Sequence, residues 1–270
     1  MTTAPDPELE ALFRIAQAVH QTVRQSMSSP HRADVVGMGA DGSPTEELDR
    51  IAEGQILSVL EAEGLAWDLL SEEVGLVRRG GERLLVVDPI DGSHNALRTM
   101  PFSTISLALG GRDLDGIEKG VVRDLFHGTT YWATAGGGAF RDGRRIAVRP
   151  WEVRSELFFV NLGRHSTRAA VDLAERARRV RSLGCASLEM AMVAQGSADA
   201  YYFENDTAER NLRVTDIAAG YRIVLEAGGG VTDAKGQSLG GVPLDLGQHT
   251  SVLAYGDPAF HATRPGGAPA

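Results

Sequence analysis

A single cysteine, Cys185, occurs in the 270 residues, which excludes an intramolecular disulfide framework and a multi-cysteine zinc site. The chain also lacks any apolar run near the roughly 18 residues that a membrane span requires, and no basic stretch followed by an apolar one opens it. These absences support a cytoplasmic protein, neither exported nor embedded. Positive charge is in deficit: 27 Lys and Arg stand against 36 Asp and Glu, for a net charge of −9. A nucleic-acid surface needs the reverse balance, because phosphates are neutralised by clustered basic side chains. The deficit leaves a phosphorylated small molecule open as a partner, since a bound cation can supply local positive charge.

What is present is ordinary for a globular chain: 43% of the residues are hydrophobic, enough for one large or two small domains. Residues 1–7 and 261–270 are small and proline-containing and read as loose ends. The most informative stretch is 84–102, LLVVDPIDGSHNALRTMPF. Four apolar residues predict a buried strand that runs into Asp88 and Asp91, with Pro89 and Gly92 making a turn. Two acids three residues apart at a strand end can share one hard cation, and Gly92 allows backbone N–H groups to approach an anion closely. A plain turn accounts for the same residues, since Asp, Pro and Gly are common turn formers.

Apolar spacing from Leu9 to Val19 predicts an amphipathic helix over 7–27, followed by a polar loop or short hairpin over 28–44. Thr45 reads as the N-cap of a second helix over 45–63, on which Asp49 and Glu53 lie one turn apart, either solvated or turned towards a site. Residues 67–70 form a short strand that ends in Ser71-Glu72-Glu73, repeating the strand-then-acids pattern of Asp88. Strands over 104–110, 116–124 and 129–134 predict an antiparallel meander, with the glycines of 135–138 in a structural turn and a short strand over 144–149. Beyond Pro150 strands and helices alternate, so a boundary is placed there: an N-terminal α+β subdomain over 1–150, a C-terminal α/β subdomain over 151–260 and a flexible tail over 261–270. Asp216 falls at the start of a helix that stops at Gly228, where it can cap free N–H groups or bind a metal.

Five acids, Asp49, Glu72, Asp88, Asp91 and Asp216, thus stand at element ends. In order and spacing the chain resembles the inositol monophosphatase family, through TxxxD (residues 45–49), Glu72-Glu73, DPIDGSxN (88–95), Pro101-Phe102, DIAAG (216–220) and EAGG (226–229). Ser71-Glu72-Glu73, the run LGCASLEM (183–190) and VTD before IAAG are most similar to the archaeal-type enzymes that combine inositol monophosphatase and fructose-1,6-bisphosphatase activities. The chain departs from the common pattern at Thr215, where many members carry Trp, at His94, and at Ala96, where an aromatic is usual.

The resemblance implies an α/β fold with αβαβα layers and a phosphomonoesterase that uses two to three Mg²⁺ and direct attack of an activated water. It implies Glu72, Asp88 and the Ile90 carbonyl as ligands of one ion, Asp88, Asp91 and Asp216 as ligands of a second, and Glu72 again for a weaker third. All-oxygen ligation suits Mg²⁺. Asp49 and Ser93 would handle the proton of the attacking water, and the N–H groups of Gly92 and Ser93 would hold phosphate oxygens. The substrate pocket is expected beside Gly184, Cys185 and Ala186 and beside the segment holding Glu204, Glu209 and Arg213, with Arg164 and Arg168 as candidates for a second phosphate. Inositol monophosphate and fructose 1,6-bisphosphate are the expected substrates, with histidinol phosphate or a 3′-phosphoadenosine nucleotide as alternatives within the same chemistry. A non-catalytic binding protein that keeps the fold would have lost one of these acids, and none is missing. The resemblance also implies a homodimer. His94 is read as a wall or surface residue, since no GxSxG elbow accompanies it, and Cys185 as a buried small residue rather than a nucleophile.

Overall fold

The computed structural model describes residues 6–152 and 156–259; residues 1–5 and the 261–270 tail lie outside the described residues. The first half runs α1 (Pro7–Ser26), β1 (Val35–Met38), β2 (Pro44–Glu46), α2 (Glu47–Ala62), β3 (Asp68–Ser71), β4 (Gly75–Val77), β5 (Leu84–Asp91), α3 (Ser93–Leu97), β6 (Thr104–Gly110), β7 (Ile117–Asp124), β8 (Thr130–Thr134), β9 (Gly138–Arg141) and β10 (Arg144–Ile146). The second runs β11 (Phe158–Val160), α4 (Arg168–Arg176), β12 (Val180–Arg181), α5 (Ala186–Ala194), β13 (Ala200–Phe203), β14 (Leu212–Arg213), α6 (Val214–Glu226), β15 (Gly230–Thr232), β16 (His249–Thr250) and β17 (Val252–Tyr255).

Eight strands form one sheet in the order β10-β9-β8-β7-β6-β5-β3-β4, and five form another in the order β12-β11-β13-β17-β15. The larger sheet takes strands up to Ile146 and the smaller takes strands from Phe158 onwards. From β5 to β10 the larger sheet is the expected antiparallel meander. β3 pairs with β5 in parallel, Ser71 opposite Val87, which brings the Glu72 end of one strand beside the Asp88 end of the other.

Hydrophobic patterning explains the layering. α1 buries Leu9, Leu12, Ile15, Ala16, Val19 and Val23 along one stripe, and these pack with α2 on one face of the larger sheet. Leu12 and Ile15 are fully buried and contribute roughly 1.5–3 kcal/mol each. α1 starts cleanly because the Asp6 carboxylate accepts from the N–H groups of Glu8 and Leu9, with Pro7 in the first turn. α5 has no polar stripe: it buries Ala186, Leu188, Met190, Ala191, Val193 and Ala194. A helix apolar all round belongs between two layers, and α5 and α6 fill the space between the sheets in one continuous core. α4 covers the outer face of the smaller sheet through Ala170 and Leu173. The result is an αβαβα sandwich.

Three local expectations shift. The 28–44 segment contains a hairpin strand, and Thr45 belongs to the partner strand β2 rather than to a helix cap, so α2 begins at Glu47. The Thr45 hydroxyl instead donates to the Glu73 carboxylate. The glycine run turns only until residue 137, because Gly138 already pairs with Thr134 in β9. Asp49 and Glu53 are both buried rather than solvated, since α2 turns that face inward.

α6 lies directly on β7: a Cβ built on Gly120 would sit 2.7 Å from the Ala219 carbonyl oxygen. Gly120→Ala should therefore push the two layers apart and destabilise the fold by about 1–3 kcal/mol. Gly54 in α2 faces open space, and Gly54→Ala should stabilise by about 0.5–1 kcal/mol. Urea unfolding midpoints of the two variants should move in opposite directions from that of the parent.

Candidate active site

Strand β5 delivers both of its acids to the same place because it is bulged. In a regular strand residues three apart point to opposite faces. Here Asp88 stands opposite Ser106 and Asp91 opposite Thr104, so one extra residue is accommodated between them and both carboxylates turn to one cavity. Gly92 then takes φ 79°, and a Cβ there would meet the Phe102 carbonyl oxygen at 2.7 Å and the Gly184 carbonyl oxygen at 3.1 Å. Only glycine closes the turn against both segments.

The cavity, about 230 Å³, lies where the two sheets meet, and is lined by Glu72, Asp88, Ile90, Asp91, Gly92 and Ser93 from the first half and by Gly184, Cys185, Ala186 and Asp216 from the second. Ligand-capable oxygens of Glu72, Asp88 and Asp216 all fall within 4.8 Å of one another. Each is oriented by a neighbour. Asp88 Oδ1 accepts from the Ile90 N–H at 3.0 Å, Glu72 Oε1 accepts from the Thr215 hydroxyl at 2.6 Å, and Asp216 Oδ2 accepts from the Arg213 N–H at 2.8 Å. Asp91 accepts from the N–H of Ala186 at 3.2 Å and from the N–H and hydroxyl of Ser187, both at 2.6 Å, and so caps α5.

Electrostatically the cluster is strained towards protonation. Burial first, then the charges of Glu72, Asp91, Asp216 and Asp49, hold the Asp88 carboxyl well above the usual range. Burial followed by Glu72 does the same to Asp216, while for Asp91 the upward push of burial is opposed by the Ser187 hydrogen bonds. The lining contains no Lys or Arg that could compensate. A concentration of hard oxygen donors without a basic partner is the donor set that a divalent cation fits.

Ser93 donates its hydroxyl to the Ile90 carbonyl at 2.8 Å, with Asp49 Oδ1 at 3.4 Å on the other side. Asp49 does not line the cavity itself, and burial pushes its carboxyl up to about 8, with the hydrogen bond and charge of Glu46 and the charge of Glu73 adding to the effect. Gly184 and Cys185 stand opposite Gly92, held by Asn95, whose amide donates to the carbonyls of Phe102 and Leu183 at 2.8 Å each. Cys185 is buried and its thiol is pushed up by burial and by Asp91. His94 is exposed.

The expected substrate segment borders the cavity through Leu212, but its charged residues do not line it. Glu204 accepts from the Thr167 and Tyr202 hydroxyls at 2.7 Å each, Glu209 is exposed, and Arg213 pairs with Asp41 at 3.0 Å; none lines the cavity. Its remaining wall is Asn161, Glu189, Tyr201, Phe203 and Leu212, none of which the sequence reading singled out. Glu189 carried a signal, as the sole acid in the apolar run of α5. Thr215 stood out only as a departure from the family pattern, and its bond to Glu72 follows from the fold alone.

Three buried acids near this cavity hold protons in the fold: burial raises Glu53 to about 7 and Glu189 and Asp49 to about 8. Their unfolded values lie near about 4. A folded state that binds more protons than the unfolded one loses stability as pH rises between the two values. The metal-free chain should accordingly unfold at lower urea concentration at pH 8.5 than at pH 5.5, and Glu53→Gln should reduce that difference.

Comparison with known proteins completes the site's description. The model of the inositol monophosphatase family matches residues 4–264. A fructose-1,6-bisphosphatase/inositol-1-monophosphatase of Methanothermobacter thermautotrophicus is 38% identical over 264 residues, covering 92% of this chain and 91% of the relative. A bifunctional NADP phosphatase/NAD kinase of Methanococcus maripaludis is 35% identical over 269 residues, covering 91% of this chain but 46% of the relative. Among solved structures, an inositol monophosphatase–fructose 1,6-bisphosphatase superposes with a TM-score of 0.79 at 27% identity, covering 93% of this chain and 95% of that one.

Proposed function

The chain belongs to the inositol monophosphatase family and is a metal-dependent phosphatase, and from that premise we propose that it hydrolyses a small phosphorylated polyol or sugar, inositol monophosphate or fructose 1,6-bisphosphate, with Mg²⁺. The observation that carries this reading is the convergence of Glu72, Asp88 and Asp216 within 4.8 Å in a cavity that also holds Asp91 and has no basic side chain. Glu72, Asp88 and the Ile90 carbonyl would hold one ion, Asp88, Asp91 and Asp216 a second, and Glu72 would contribute to a third. Bound divalent cations supply neutralisation of the phosphate and Lewis-acid activation of the attacking water.

The chain's own groups do the rest. The N–H groups of Gly92 and Ser93 follow the left-handed turn and are free of helical partners, so they suit phosphate oxygens. Ser93 Oγ, between the Ile90 carbonyl and Asp49, can take a proton from water and pass its own to Asp49 once cations at the neighbouring acids favour the ionised Asp49 carboxylate. The turn 184–186 walls the cavity opposite Gly92. The single buried Cys185 accords with a reducing cytoplasmic setting, and a homodimer is the assembly that the family resemblance suggests.

Phosphate release should be seen with at least one of inositol 1-phosphate and fructose 1,6-bisphosphate in the presence of Mg²⁺ and should vanish with excess chelator. A panel that includes histidinol phosphate, 3′-phosphoadenosine 5′-phosphate and NADP ranks substrates by kcat/KM; silence across the whole panel would sink the proposal. Ser93→Ala should lower kcat by roughly 10²–10⁴-fold with little change in KM, because it removes a proton path rather than a binding contact.

A further inference from the structure

A second cavity, of about 630 Å³, lies between α1 and strands β7 to β9, on the sheet face that carries α1 and α2. It shares no lining residue with the catalytic cavity. Its volume falls inside the roughly 300–1,000 Å³ range of small-molecule sites. One wall is aromatic: Phe13 meets Trp132 edge-on at 5.7 Å, and Trp132 is fixed in turn by stacking on Phe140 at 4.2 Å.

Beside Trp132, on the same face of β7 and β8, lies a guanidinium that the charges of Asp142 and Asp124 reach only from beyond ion-pair distance. Arg123 donates to Thr130 Oγ1 at 2.6 Å, its buried Nε has no hydrogen-bond partner, and among the described residues no carboxylate forms an ion pair with it. His20, against the same turn at Gly128, also has a buried unpartnered nitrogen, Nδ1. Arg14 is different, because its Nε and Nη2 both donate to the Glu63 carboxylate. Gln17 and Gln21, one turn apart on α1, also line the cavity, and their amides make no hydrogen bond within the described residues. A rigid aromatic wall, one guanidinium with no direct ion pair and two free amides are the elements that recognise a flat ring bearing an anion. Asp142 on the rim, accepting from the Thr130 N–H at 2.9 Å, disfavours a dianion and favours a single negative charge.

We propose that this cavity is a second ligand site, distinct from the catalytic one, for a planar aromatic monoanion such as an aromatic carboxylate or sulfonate. The ring lies against Trp132 and Phe13, and the anion meets Arg123 with Gln17 and Gln21 beside it. The test titrates the full chain with 1-naphthalenesulfonate and follows backbone amides by NMR, with 1-naphthol and inorganic sulfate as separate probes. Saturable shifts confined to α1 and to β7, β8 and the turn at Asp142, with 1-naphthol and sulfate each at least about tenfold weaker, are expected. Arg123→Gln should weaken the sulfonate at least about tenfold. Should that variant not fold, the exposed-helix pair Gln17→Ala/Gln21→Ala provides the second reading, with an expected loss of about threefold or more. Shifts that map elsewhere, equal binding of 1-naphthol, or unchanged affinity in a folded variant would overturn the assignment.

Discussion

The carboxylate of Asp91 is the joint on which the rest of the molecule turns. It belongs to β5 of the larger sheet, yet three of its hydrogen bonds come from the first turn of α5 in the other half of the chain. Hydrogen bonds to a charged acceptor contribute about 1.5–3 kcal/mol each, and here they fix the distance between the DPIDG turn and the 184–186 turn that closes the cavity. Asn95 repeats the connection from four residues further on, tying Phe102 and Leu183 together. The cleft between the two sheets is therefore set by a few polar bonds at its mouth, while the apolar core behind it supplies the bulk of the stability.

The same joint explains how so many acids tolerate one another. Asp91 caps α5 and Asp216 sits in the first turn of α6, so each faces the positive end of a helix dipole. A helix N-terminus offers fixed N–H donors in place of water, and that partly offsets the burial of a carboxylate. Asp88 has no such helix and receives only the Ile90 N–H. Burial and the surrounding carboxylates hold it, like Asp216, well above the usual range. The position proposed to serve both cations thus has its negative charge met by a single N–H, so that bound cations would supply most of its compensation.

Periodicity and turn chemistry made most of the fold legible. The stripe of α1, the meander after Gly92 and the alternation after Pro150 are all local signals, and the layers follow from where their apolar faces can go. Local reading failed where tertiary pairing overrode it: Thr45 looks like a helix cap but joins a hairpin, and Gly138 looks like a turn but enters a strand. The acids of the site were legible because each ends an element. The bulge that makes Asp88 and Asp91 converge was not, since three-residue spacing in a strand argues for divergence until the extra β5 residue opposite the Ser106–Thr104 step is seen.

The cavity wall shows the limit of composition as a guide to specificity. The segment 204–213 is rich in acids and arginines, which suits hydroxyl-rich ligands, yet the fold spends those groups on itself. Glu204 is held by Thr167 and Tyr202, Arg210 by His165 and Asp206, and Arg213 by Asp41. Besides the 184–186 turn and Asp216, what faces the cavity from the second half is Asn161, Glu189, Tyr201, Phe203 and Leu212. A wall with one amide and several apolar faces discriminates by shape more than by counting hydroxyls. Under the proposed function, a leaving group would be constrained mainly by how its ring or chain packs against Phe203 and Leu212 while its phosphate is held at Gly92.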